Sequence, residues 1–147
     1  MAKGQSENLS NATSAIFFSR TYDEALNMVL EAREYLQGPG KSAVRKLPSE
    51  ASFCYAAESL RLTTRLTECM SWLMFQRAAN EGEITPEEAQ SDECHLQFQE
   101  TCLPEGIIEN LDLLPAGLLS LLERSESLYL RISRLDQQSI ENFNNAS

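Results

Sequence analysis

The chain has 147 residues, of which 42% are hydrophobic, and its formal net charge is −10. This length and composition predict one domain with a single hydrophobic core. No stretch approaches the roughly 20 apolar residues of a membrane span, and a strongly negative chain is poorly suited to bind phosphates, so we expect a cytoplasmic protein that contacts neither membranes nor nucleic acid.

The N-terminal third predicts a tail followed by a first helix. Residues 1–12 are polar and aperiodic, which is typical of an unstructured tail. From about Thr13, apolar residues recur at steps of three and four, as on one face of a helix; they are Phe18, Tyr22, Ala25, Leu26, Val29 and Leu36. Gly38-Pro39-Gly40 should end this helix, and residues 41–48 look like a basic linker.

A second helix is predicted from Ser49 to about Asn80, a length of about 45 Å. Its apolar residues form two neighbouring stripes rather than one. Leu62, Leu66, Cys69 and Leu73 lie on the first, and Trp72, Phe75 and Ala79 lie on the second. A helix that is apolar on more than one side must be covered on more than one side, so this helix belongs at the centre of a bundle or at a subunit interface.

An acidic segment follows. Residues 78–112 contain ten acidic residues and neither lysine nor arginine. Such a segment is either a solvated connection or a docking surface for a basic partner. Within it, Thr85-Pro86-Glu87-Glu88 has the residues of a helix start, and we expect a short helix to about Asp92. Residues 94–112 should form turns around Pro104 and Gly106.

The last helix is predicted from about Pro115, with an amide-rich flexible tail at residues 137–147. Together these elements predict an all-α fold: an antiparallel three-helix bundle over residues 13–136, with a short extra helix in the second connection. Because three helices leave much apolar surface uncovered, we expect a homodimer.

Reactive side chains do not form a recognisable catalytic or metal site. Cys94, His95 and Cys102 lack the paired spacing of zinc ligands, and no glycine-rich elbow or phosphate loop surrounds a nucleophile. We therefore predict no catalytic residue, no metal and no cofactor. The alternative function is a redox-responsive cytoplasmic regulator that uses Cys94 and Cys102 as loop thiols.

The residues most suited to partner binding lie on the second helix. Arg61 and Arg65 are one turn apart, and Trp72 and Gln76 follow on the same helix. Arginine and tryptophan are the usual anchors of protein interfaces. The competing interpretation is ordinary surface pairing of the two arginines with Glu58 and Glu68, which lie three residues away. We predict Arg61, Arg65, Trp72 and Gln76 as the partner-binding residues.

Several segments resemble the RcdA family of alphaproteobacterial proteins. The resemblance extends from Phe18 to Asp136 and is most specific in the centre of the chain. It rests on FSRTYDEAL from Phe18, ESLRLTTRLT from Glu58, WLMFQRA from Trp72, GEIT from Gly82 and LYLRISRLD from Leu128.

The resemblance implies a fold and a function. Members form a dimerising three-helix bundle and act as adaptors for the ATP-dependent protease ClpXP. They help to deliver the cell-cycle regulator CtrA, together with other adaptors such as CpdR and PopA. No catalytic residue or cofactor is implied. We therefore expect a non-enzymatic adaptor whose partners are ClpXP, other adaptors and a CtrA-like client.

Overall fold

The computed structural model describes residues 2–146, with side-chain surroundings from Ala15 to Ala146. The helices are α1 (Ala2–Gln37), α2 (Pro39–Val44), α3 (Ser49–Asn80), α4 (Pro86–Ala89), α5 (Gln99–Cys102) and α6 (Ala116–Ala146). Two short 3-10 turns lie at Asp92–Cys94 and Leu111–Leu113. The described residues contain no strand, which confirms the predicted all-α class.

The helix starts and stops predicted from the sequence match several of the observed helix ends closely. α1 ends at Gln37, directly before Gly38-Pro39-Gly40, and α3 occupies the predicted residues from Ser49 to Asn80. The Oγ1 atom of Thr85 accepts the backbone N–H of Glu88 at 3.1 Å and so caps the start of α4. These ends follow from local chemistry: residues that favour turns, a side-chain cap, and proline at a helix start.

Other segments are more helical than predicted. α1 begins at Ala2, so the segment expected to be an unstructured tail is helical, and α6 continues through residues 137–146. Part of the expected basic linker at residues 41–48 belongs to α2. The expectation of unstructured tails is corrected to this extent, and the division of the chain into one bundle and two tails stays a prediction.

The order of the long helices differs from the predicted one. Gly117, at the start of α6, lies against the ring of Tyr35, which is near the end of α1. Gly40 in turn lies against both Tyr35 and Tyr55, and Tyr55 is near the start of α3. Farther along, the Trp72 side chain of α3 bonds to Asp136 of α6. α3 and α6 therefore start at the same end of the bundle and run parallel, while α1 runs antiparallel to both. The predicted antiparallel order, in which α6 would return beside α3, is wrong.

This arrangement depends on the connector, which we define as residues 81–115. The connector leaves the end of α3 and must bring the chain back to the end of the bundle at which α3 begins. This distance is the length of α3, about 48 Å for a helix of 32 residues. A chain of this length reaches on the order of 100 Å when extended, so the connector spans the bundle easily. The prediction failed because it assumed that the connector stays at one end of the bundle.

The core lies between the three long helices. The first predicted stripe of α3 supplies Leu62, Leu66, Cys69 and Leu73, and α6 supplies Leu118, Leu121, Leu128, Tyr129 and Ile132; all of them are buried. Small α1 residues, such as Ala25 and Ala32, let that helix approach closely. Within residues 2–146, no helix has the length and apolar character needed to cross a membrane.

Candidate partner-binding surfaces

Arg65 is buried, with 3% of its surface exposed. Its guanidinium donates to the carbonyl oxygens of Cys102 at 2.7 Å and Leu122 at 3.1 Å, and it faces the Glu126 carboxylate at 3.5 Å. Burial lowers the pKa of Arg65, and Glu126 opposes this shift; the ordinary value is so high that the group stays charged. Arg65 thus joins α3 to both the connector and α6.

Arg61 also binds the connector. Its Nε donates to the Glu58 carboxylate at 3.0 Å, and its Nη1 donates to the carbonyl oxygen of Thr101. Glu58 is 2% exposed, so this pair is not the solvated surface bridge of the competing interpretation. Glu68, the other predicted partner, accepts the backbone N–H of Gln97 at 2.8 Å. α3 therefore fastens the connector with side chains that bond to its backbone.

Trp72 and Asp136 form a second buried junction. The indole Nε1 of Trp72 donates to Asp136 Oδ1 at 2.9 Å, and the backbone N–H of Leu96 donates to Oδ2 at 3.1 Å. His95 Nδ1 lies 2.8 Å from Oδ1, and His95 Nε2 lies 3.1 Å from the Gln90 carbonyl oxygen. One carboxylate thus joins α3, α6 and the connector.

Gln76 lines an open cavity together with Trp72, another of the predicted residues. Its side chain is half-buried. With Phe17, Phe18, Trp72 and Leu135, it lines a cavity of about 430 Å³ at the end of the bundle where α3 finishes. This cavity is mainly apolar, which suits an apolar side chain of a partner.

The structure therefore separates the four predicted residues. Arg65 and Trp72 are buried and hold the chain's own elements, so the expectation that they form an exposed face is corrected. A sequence pattern treats arginine as a surface residue and cannot show that carbonyl groups of the connector will cover it. Arg61 and Gln76 keep partial exposure. Partner binding by any of the four stays a prediction.

The three grooves between the long helices differ in character. The connector fills the groove between α3 and α6. Two ion pairs cross the groove between α1 and α6: Glu24 with Arg131 at 2.8 Å, and Glu31 with Arg124 at 2.6 Å. The hydrogen bonds from these arginines lower the pKa values of both glutamates. Four of the charged side chains along this groove are thus paired within the chain.

The groove between α1 and α3 is apolar and open. No ion pair among the described residues joins these two helices. A cavity of about 430 Å³ lies there, lined by Val29, Leu36, Leu66, Met70 and Met74 among others. Leu30 is 50% exposed and Met74 is 58% exposed. We name this surface the α1/α3 face.

The exposed residues of this face were not predicted from the sequence. On α3, Phe53 and Leu60 are 79% and 69% exposed, and with Met74 they recur at multiples of seven residues. This spacing places them on one side of the helix, away from the buried stripe. A search for heptad spacing outside the core stripe would have found them.

The candidate reactive groups have structural surroundings. Cys54, Cys69, Cys94 and Cys102 are all free and buried, and burial raises the pKa of Cys102. A buried, neutral thiol is a poor nucleophile, so the redox alternative is not favoured. Where side chains are described, no group of three or more His, Cys, Asp or Glu residues has an arrangement that could hold a metal ion.

Comparison with known proteins identifies the family. A family model described as a protein of unknown function (DUF1465) matches residues 9–147. RcdA from Caulobacter crescentus CB15, a protein with a crystal structure, is 41% identical in sequence to this chain. The match covers 83% of this chain and 89% of the RcdA chain, and the two structures align with a TM-score of 0.66. The chain belongs to the RcdA family. Among curated proteins, no sequence matches significantly.

Membership confirms the resemblance seen in the segments between Phe18 and Asp136. It also fits the geometry, because residues of the most specific RcdA-like segment, from Glu58 to Thr67, make the bonds that hold the connector. In this RcdA-family chain, the sequence that identifies the family is therefore also the sequence that determines how α3, the connector and α6 pack.

Proposed function

We propose that this protein is a non-enzymatic adaptor in regulated proteolysis. In this role it helps to deliver a cell-cycle transcription regulator to ClpXP, acts with other adaptors, and works in the cytoplasm. The observation that supports the proposal most directly is 41% identity to RcdA over 83% of the chain. The client is a CtrA-like regulator, as the family resemblance implies.

The surfaces of the molecule support a binding role. The polar groups of the buried junctions at Arg65 and Asp136 are engaged inside the chain. What the molecule offers to the outside is apolar surface on the α1/α3 face, the cavity at Gln76, and the acidic side chains of the connector. Such surfaces suit protein recognition.

A reconstituted degradation assay tests the adaptor role. ClpXP, ATP, a fluorescently labelled CtrA-like client and the companion adaptors are combined with and without this protein. We expect client turnover to accelerate severalfold when the protein is present. Client turnover that does not change on addition of the folded protein would contradict the proposal.

Within this assay, Gln76→Ala tests the predicted partner-binding site. The side chain lines the open cavity beside Trp72, so its loss should slow client turnover. Gln37→Ala is the matched control, because Gln37 is exposed at the far end of α1. Equal activity of the two variants would remove Gln76 from the binding site.

We also propose that the protein forms a homodimer through the α1/α3 face. This face combines exposed apolar residues with little charge, in a chain whose net charge of −10 otherwise opposes self-association. The acidic connector lies in a different groove, so two copies can meet at this face without bringing their acidic segments together.

Light scattering tests the dimer. The wild-type protein should have twice the 16.5 kDa mass of one chain. Met74→Glu should shift the mass toward one chain, because it puts a charge on the α1/α3 face. Leu130→Glu, at an exposed position on α6, is the control and should leave the mass unchanged. A monomeric wild-type protein, or equal behaviour of the two variants, would contradict this interface.

A further inference from the structure

The connector presents a run of exposed residues on a firmly held backbone. Residues 97–101 are all exposed. Side chains of α3 and α6 nevertheless hold four backbone groups in or beside this run: the N–H groups of Leu96 and Gln97, and the carbonyl oxygens of Thr101 and Cys102. A segment fixed in this way loses little conformational entropy when it binds a partner.

Phe98 is the most unusual residue of this run. Its backbone is in the left-handed region, with φ of 56°, which is uncommon and unfavourable for a residue with a bulky side chain. Its carbonyl oxygen accepts the N–H groups of Thr101 and Cys102 at the start of α5. The ring remains 64% exposed, so burial of the ring does not compensate for this backbone conformation.

A second exposed apolar residue follows nearby in the chain. Ile107 is 97% exposed. Four residues that lie between Phe98 and Ile107 in the sequence line a cleft of about 510 Å³: Gln99, Glu100, Leu103 and Glu105. We name residues 97–107 the display segment. It combines two apolar side chains with a cleft that carries two carboxylates.

The charges around the display segment have few partners within the chain. All ten acidic residues of the segment from Ala78 to Asp112 are exposed. Of the ion pairs among described residues, only the pair of Arg77 with Glu81 involves one of them. The nearby arginines of α3 bond to carbonyl oxygens of the connector rather than to its carboxylates. The negative charge is therefore available to a basic partner.

We propose that the display segment binds a basic amphipathic helix of a partner protein. Phe98 and Ile107 make the apolar contacts, and Glu100 and Glu105 pair with lysine or arginine. The apolar side chains of the display segment require an apolar face on the partner helix, and its carboxylates require basic residues, because a wholly apolar helix would leave the carboxylates unpaired. The proposal rests on the adaptor function only in taking the partner to be a protein.

Fluorescence anisotropy with a model helix tests the proposal on the full-length protein. The probe is a labelled synthetic peptide of about 18 residues, or five helical turns. Its leucines recur at steps of three and four residues and so form one face of the helix, and lysines occupy the other positions. A scrambled peptide of the same composition has the same charge but no apolar face. We expect the amphipathic peptide to bind, and to bind more weakly as salt rises from about 0.05 M to about 0.3 M. The scrambled peptide should bind much more weakly.

Two variants locate the binding site. Phe98→Asn removes the ring but keeps a residue that tolerates the left-handed backbone, and Ile107→Ser removes the second apolar side chain. Each should weaken binding at least about fivefold, as expected for an interface anchor. Leu130→Ser is the control, because Leu130 is an exposed apolar residue on α6, outside both the display segment and the α1/α3 face, and this variant should bind as the wild type does.

Three results would overturn the proposal: no binding of the amphipathic peptide, equal binding of the scrambled peptide, or equal affinities of the two variants and the Leu130→Ser control. None of these results depends on ClpXP. A protein that accelerates client turnover but does not bind the peptide would keep its adaptor function and lose this surface. The opposite outcome would keep the surface and contradict the adaptor function.

Discussion

Arg65→Met should destabilise the protein strongly, although both side chains are long and fit a helix. Arg65 is 3% exposed and donates to the carbonyl oxygens of Cys102 and Leu122. Methionine fills a similar space but provides no donor, so the Cys102 carbonyl would lose its bond to Arg65, while the Leu122 carbonyl would keep only the Ser125 hydroxyl as a side-chain donor. The connector would then lose one of its fastenings to α3.

The magnitude follows from the bonds lost. A hydrogen bond to a charged group contributes about 1.5–3 kcal/mol, so two such bonds give a gross loss of about 3–6 kcal/mol. Removing a buried charge also removes its desolvation cost, which offsets part of this loss. We expect the free energy of unfolding to fall by about 2–3 kcal/mol. Arg65→Glu, which would set a carboxylate against these carbonyl oxygens, should prevent folding rather than test partner binding.

Urea unfolding, followed by circular dichroism at one fixed protein concentration, measures this effect. With a slope of about 2 kcal/mol/M, the midpoint should fall by about 1–1.5 M. Arg20→Met is the control, because Arg20 is exposed on α1, and its effect should stay within about 0.5 kcal/mol. The reasoning would be refuted if the two variants had the same midpoint.

Three further predictions concern other groups at helix contacts. Asp136→Asn should make Trp72, the sole tryptophan, more accessible to acrylamide, because the Asn amide nitrogen would face a donor in place of a carboxylate oxygen. Gly117→Ala should lower the urea midpoint, although alanine normally favours a helix by about 0.5–1 kcal/mol, since the new methyl group would overlap the Tyr35 ring. Burial raises the pKa of Cys69 from 9.0 to about 12. The stability contributed by its neutral thiol is therefore fully present below pH 9 and is lost as the pH rises toward 12. Over that range, the urea midpoint of the wild type should fall more steeply than that of Cys69→Ala.

Each of these predictions has a contrary result. Wild-type quenching of Trp72 in Asp136→Asn would mean that the buried junction tolerates an amide. A Gly117→Ala midpoint at or above the wild-type value would show that the Tyr35 ring moves away without cost. Parallel pH profiles for the wild type and Cys69→Ala would assign the alkaline loss of stability to other groups.

Helix ends were predictable where local chemistry determines them. The Ser49–Asn80 helix, the stop at Gly38 and the cap at Thr85 each depend on residues within one or two turns. The buried stripe of Leu62, Leu66, Cys69 and Leu73 was likewise evident, because hydrophobic spacing reports directly on the covered side of a helix.

The direction of α6 and the burial of Arg65 were not predictable in this way. Both depend on the connector, whose side chains are mostly polar and exposed and therefore look like a solvated link. Its attachment occurs through backbone groups at Leu96, Gln97, Thr101 and Cys102. Because every residue has a carbonyl oxygen and nearly every residue has an N–H group, the sequence does not mark which ones α3 and α6 will bind.

The parallel course of α3 and α6 has a consequence for how the chain folds. α1 and α3 are neighbours in sequence and can associate as a hairpin early. Arg65, by contrast, meets Leu122 and Ser125 only after residues 81–115 have closed a long loop, and closure over such a separation slows folding. Because a replacement loop must still span about 48 Å at about 3.3 Å per residue, on the order of 15 residues is the minimum that keeps this topology. Deletions below that length should compel the last helix to reverse its direction.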